Sequence, residues 1–147
     1  MKKFTQKELD TLIEAKFKGL KEDVDAGRAD WHEEDRSTAD FMLAKLLHAA
    51  LSNARMSGAD LSRARLIGAN LSGADLSKAD LMGANLCKAN LSGTNLSGAR
   101  LIFSFLLGAN LSGANLLGAD LKEAKYDRET QWPEGFDPVA AGAIFKP

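Results

Sequence analysis

Leucine returns at every fifth position from Leu61 to Leu121 without a break. The same phase extends back through Met56, Leu51, Leu46 and Phe41 and forward to Tyr126. Two places ahead of each large residue stands an alanine, from Ala39 to Ala124, replaced only by Thr94 and Ser104. The unit reads Ala, Asp or Asn, Leu, Ser, Gly. A period of five fits neither the 3.6-residue turn of an α-helix nor the alternation of a strand, so neither element alone gathers these leucines on one surface. A coil that turns a corner at each unit does. With four units per turn, Leu and Ala point inward, and glycine or a polar residue takes the corner where the backbone bends.

Successive turns would stack at the roughly 4.8 Å spacing of paired strands and bond backbone to backbone. Each buried Leu contributes roughly 1.5 to 3 kcal/mol by area. Repeated over the eighteen units from Ala39 to Arg128, that burial offsets the backbone entropy of a thin molecule. The sequence therefore predicts an all-β solenoid over residues 39–128. An amino-terminal helix and charged linker precede it in residues 1–38, and a C-terminal cap follows in 129–147.

Both ends of an open solenoid need covering. Thr5 and Glu8 have capping-box spacing, and Phe4 with Leu9 has that of a hydrophobic staple. The helix they start carries Leu9, Leu12, Ile13, Phe17 and Leu20 on one face. Residues 21–37 read as a charged linker broken at Gly27, with Trp31 packing on the first coil. At the other end Tyr126, Trp132 and Phe136 offer apolar surface to cover the last turn. Asp137-Pro138 has the pattern of an N-cap and first-turn proline, which predicts a short closing helix over 139–142.

Runs such as Ala69-Asn70-Leu71-Ser72-Gly73 and Ala74-Asp75-Leu76-Ser77-Lys78 resemble the pentapeptide-repeat proteins. The resemblance covers about ninety residues and implies a right-handed quadrilateral β-helix. The tail, from Tyr126-Asp127 through Trp132-Pro133-Glu134-Gly135-Phe136 to Ala141-Gly142-Ala143, is similar to the ends of small cyanobacterial members. Some relatives imitate DNA and modulate topoisomerases such as gyrase, so the resemblance also implies that possibility for this chain.

Residues twenty apart should lie above one another, so outward columns can be written from the sequence. Ser52, Ser72, Ser92 and Ser112 beside Asn70, Asn90 and Asn110 read as a polar ladder bonded along the stack. Leu47, Ile67, Cys87 and Leu107 stand where most units carry Ser, the neighbouring column adds Met42, Met82 and Ile102, and Phe103 and Phe105 occupy outward positions beside Ser104. Together they form an apolar patch, the candidate interaction surface. Either the amino-terminal helix lies along it, or it meets a protein partner or a second copy.

Charge narrows the function classes. The chain carries 19 Lys and Arg against 20 Asp and Glu. Over residues 39–128, however, ten bases face seven acids, for a net +3. Duplex DNA has one negative charge per roughly 1.7 Å, so a mimic needs about three per coil of roughly 4.8 Å. The repeat region has the opposite sign, which disfavours mimicry. Arg55, Arg63 and Arg65 lack interleaved aromatics for base stacking, which disfavours nucleic acid as a partner. His32 and His48 have no nucleophile at catalytic spacing, and no phosphate loop, zinc spacing or dinucleotide fingerprint is present. Asp40, Asp60, Asp80 and Asp120 share a column, but Arg100 interrupts it. We therefore expect no enzyme activity, no metal or other cofactor and no small-molecule substrate. A lone cysteine, an amino terminus without the apolar core of a signal peptide, and no run of transmembrane length point to a cytoplasmic protein away from membranes.

Overall fold

A computed structural model describes residues 47, 48 and 50–147. The expected amino-terminal helix, the charged linker with Trp31, and Met42 lie outside the described residues. From Leu51 onward, each five-residue unit closes one β-turn. The amide after the corner donates back to the central leucine's carbonyl, as Ala74 does to Leu71 and Ala84 to Leu81, both at 3.0 Å. The corner residue, third in each turn, has positive φ from His48 to Glu123, while the residue before it does not. That combination defines a type II turn and explains the frequent corner glycine.

The coils stack in a twenty-residue register. Parallel bridges join Ala50 to Asn70, Asn70 to Asn90 and Asn90 to Asn110, and the other three faces repeat the pattern. Each face contributes a single bridging residue between turns, so the walls are bridged corners and not long strands. Leu51, Leu71, Leu91 and Leu111 centre the first face. Met56, Leu76, Leu96 and Leu116 centre the second, Leu61, Leu81, Leu101 and Leu121 the third, and Leu66, Leu86, Leu106 and Tyr126 the fourth. All are buried, and the alanines beside them are nearly all buried too.

One unit shows why the repeat has this composition. Among its five amides, Ala89 bonds Leu86 O at 3.0 Å to close a turn, and Asn90 reaches Ala69 O on the preceding coil at 2.9 Å. Leu91 and Gly93 reach Asn110 O and Ser112 O on the following coil at 2.7 and 2.9 Å. The fifth, on Ser92, donates to Asn90 Oδ1 at 3.0 Å. Asp or Asn before the leucine thus supplies the one acceptor that the backbone ladder lacks. The serine hydroxyl donates to the same oxygen at 2.6 Å.

These bonds correct the expected polar ladder. Ser72, Ser92 and Ser112 each bond the Asn of their own unit, at 2.6 to 2.7 Å. Along the stack Ser112 also donates to Gln131 Oε1 at 3.4 Å, and a serine pair, Ser57 with Ser77 at 3.0 Å, lies on the second face. Of the two interruptions in the alanine column, Thr94 donates its hydroxyl to Leu71 O at 2.7 Å. The buried Ser104 hydroxyl has no hydrogen-bond partner.

Beyond Tyr126 one extra residue shifts the register, so that Asn110 bridges Gln131. Asp127 absorbs the shift, because its Oδ1 accepts the Gly108 amide at 3.0 Å where a coil carbonyl would otherwise stand. The same oxygen accepts the amides of Glu129 and Thr130 at 3.0 and 3.1 Å. These donors, Gly108 foremost, hold the Asp127 carboxyl below its ordinary pKa. Strand β1, Lys125–Tyr126, then pairs in parallel with β2, Ile144–Phe145.

Aromatic rings lie over the end of the core. Tyr126 meets Trp132 edge-on at 5.4 Å and Phe145 at 5.6 Å, and Trp132 stacks on Phe136 at 5.2 Å. The expected closing helix over 139–142 is not formed. Asp137 Oδ1 does accept the amides of Val139 and Ala140 at 3.0 and 3.1 Å, as an N-cap would. The chain makes a compact turn, closed by Ala141 N–H on Asp137 O at 3.2 Å, Gly142 N–H on Val139 O at 3.0 Å and Ala143 N–H on Pro138 O at 3.0 Å, before β2 draws it back to the sheet.

Candidate interaction surface

The register places the predicted residues on two adjacent faces. On the fourth face the amides of His48, Gly68 and Lys88 reach the carbonyls of Ile67, Cys87 and Leu107. Leu47, Ile67, Cys87 and Leu107 therefore form one column, each partly exposed. On the third face Gly83 N–H bonds Ile102 O at 2.9 Å, which sets Met82 beside Ile102. Phe103 turns the corner between the faces, and Phe105 follows on the fourth. Ile102, Phe103, Phe105 and Leu107 thus run continuously around one coil.

The two rings are the distinctive feature. Phe103 sits in left-handed backbone at φ 59° and is 46% exposed, in a conformation that bulky side chains rarely adopt. Elsewhere a long corner side chain lies against the glycine of the next coil, as Arg63 does at Gly83 and Lys88 at Gly108. Above Phe103 the next corner is Glu123, so no glycine makes room for the ring. Phe105 is 37% exposed, and the Lys125 ammonium stands 4.8 Å from its centroid.

The surface has a second property. Between residues 55 and 120, four units carry Arg55, Arg65, Arg100 or Phe105 before the central apolar residue, and none of these side chains can accept a hydrogen bond there. The fifth amide of those units belongs to Ser57, Ile67, Ile102 and Leu107, and it has no acceptor among the described residues. Three of the four lie on the apolar patch.

The sequence reading leaves three participants off the patch, and its expectation that Arg63 and Arg65 have no aromatics near them is corrected by the columns. Arg63 and Arg65 share their columns with Phe103 and Phe105, two coils away, through Gly83 and Asn85. Both arginines are exposed. Lys125 over Phe105 is the third. Leu117, 79% exposed where its column otherwise carries Ser, lies on the second face away from the patch, and the same column test would have found it.

Other chemistry is sparse. Burial raises the Cys87 thiol above its ordinary pKa, so it is a poor thiolate. No three His, Cys, Asp or Glu side chains converge among the described residues, and Asp80 instead pairs with Arg100 at 2.9 Å. No helix among them is long and apolar enough to cross a membrane.

A square coil of stacked five-residue turns with a shaped outer wall defines a β-helical repeat protein. The family profile for pentapeptide repeats (8 copies) matches residues 39–77, 64–101 and 89–125. The chain belongs to the pentapeptide repeat family, whose fold is the right-handed quadrilateral β-helix. It is similar to a pentapeptide repeat protein of the Arabidopsis thaliana thylakoid lumen, at 29% identity and a TM-score of 0.52. That match covers 67% of this chain and 66% of the other, just under two thirds of the Arabidopsis protein. It is also similar to a pentapeptide repeat protein from Nostoc PCC 7120, at 35% identity over 94% of this chain and 95% of that one, with a TM-score of 0.45. A third, from the cyanobacterium Cyanothece 51142, shares 37% identity over 63% of each chain, with a TM-score of 0.34. No curated protein matches the sequence.

Proposed function

We propose that this protein is a non-enzymatic interaction module, a rigid rod that presents the corner formed by Ile102, Phe103, Phe105 and Leu107 to a protein partner. The observation that carries the reading is Phe103. It occupies a left-handed corner that is glycine in most units, at φ 59° and 46% exposed. Backbone of this kind costs a non-glycine residue roughly 1 to 2 kcal/mol. An exposed ring held at such a cost points to recognition. The alternative, a DNA-mimic modulator of gyrase, is opposed by the net +3 of residues 39–128 and by Arg100 in the one aspartate column.

Replacing both rings by the residues that other units carry, Phe103→Gly with Phe105→Asn, is compatible with every coil. The doubly substituted protein should keep the wild-type circular dichroism and lose partner capture or self-association, read by affinity isolation and analytical ultracentrifugation. Retention of every wild-type association by this variant would reject the corner as the interface. Potent inhibition of gyrase supercoiling by the wild type would favour the alternative.

A further inference from the structure

Resting on that reading, we propose that the corner takes an acidic segment of another protein, in which a carboxylate lies beside a bulky apolar side chain. The unmet donors specify the acid. In regular units a carboxylate or carboxamide oxygen accepts the amide one place after the leucine, as Asp60 does for Ser62 at 2.9 Å and Asp80 for Met82 at 3.0 Å. At Ile67, Ile102 and Leu107 that amide has no acceptor among the described residues. A partner carboxylate fills the same role from outside at Ile67, the one of the three that lies beside Arg65.

The surrounding charge agrees. Arg65 stands beside Ile67, and Arg63 lies on the adjoining corner. Neither has a carboxylate within ion-pair distance among the described residues. The nearby acid Asp127 is committed to the amides of Gly108, Glu129 and Thr130. Glu123, above Phe103, and Glu129, whose Oε2 lies beside the Gly108 corner next to Leu107, direct the acidic part of a ligand away from that end and toward Arg63 and Arg65. The apolar part has its own seat on Phe103 and Phe105. Two coils separate the ring pair from the arginine pair, roughly 10 Å at the spacing of stacked strands. An extended peptide crosses that distance in about three residues, so acid and apolar side chain should stand about three places apart.

Single-stranded nucleic acid would also answer to arginines and aromatic rings. Lys125 lies over one face of Phe105 and so takes one of the faces on which a base could stack. The unmet groups at the patch are donors, and a carboxylate meets them directly.

The test is selection of a phage-displayed library of random twelve-residue peptides on the full chain. Enriched peptides should carry Asp or Glu about three places from Leu, Phe or Trp. Synthetic copies should lose at least tenfold in affinity with Phe103→Gly. They should lose about tenfold with Arg65→Asn, which supplies an internal acceptor to Ile67 and removes one of the two arginines while leaving both rings in place. Peptides without acidic residues that still require Phe103 would overturn this inference and leave the interaction surface standing. Selection of no peptide, or binding indifferent to both variants, overturns it as well. So does oligo(dT) or a phosphatidylglycerol vesicle binding more tightly than the selected peptides.

Discussion

Each position of the five-residue unit answers a separate physical demand. The central leucine fills the axis, and Leu91, fully buried, should cost about 2 to 5 kcal/mol when cut to Ala. Asn90 has a subtler task, since its side-chain oxygen accepts both the amide and the hydroxyl of Ser92 at 3.0 and 2.6 Å. Asn90→Ala should cost about 1 kcal/mol or somewhat more, and urea unfolding of the two variants measures both. Equal losses would contradict this division of labour. The Leu and Ala positions were legible because side-chain size alone reports them. The serine and asparagine bonds were misread because sequence gives each serine two candidate partners, in its own unit and on the next coil. Only distance decides between them.

Among the elements, the C-terminal cap departs furthest from what local sequence implies. Asp137-Pro138 carries helix-start chemistry, and its side chain makes the capping bonds. Pairing of Ile144–Phe145 with Lys125–Tyr126 then takes the chain away before a second helical turn can form. Asp127 was invisible for a related reason, because its role arises from a one-residue register shift that the repeat cannot announce. Its carboxyl is held below the ordinary value of 3.8 by amides it accepts only when folded. The stabilisation is therefore complete above the unfolded value and is lost as pH falls through the lower folded one. Thermal midpoints recorded from about pH 5 down to about pH 2 should fall in the wild type, and less steeply in Asp127→Asn. Identical slopes would remove Asp127 from the cap.

For the whole molecule, the twenty-residue register turns a linear pattern into a surface. It let the apolar columns be written down in advance, because Leu47, Ile67, Cys87 and Leu107 replace the usual serine. It did not reveal that Arg63 and Arg65 lie under Phe103 and Phe105, since corner and face columns must be combined to see it. The unmet amides were hidden too, as their significance depends on knowing which atom satisfies them in a regular unit.

Register is also the claim on which the candidate surface stands, and spin labels read it directly. In a Cys87→Ser background, nitroxides at Asn70 and Asn90 would sit on adjacent coils, about 5 Å apart at the backbone. Nitroxides at Asn70 and Asp80, closer in sequence, would sit on opposite faces. A square coil predicts strong dipolar broadening of the electron paramagnetic resonance spectrum for the first pair and little for the second. Broadening confined to the second pair would contradict it.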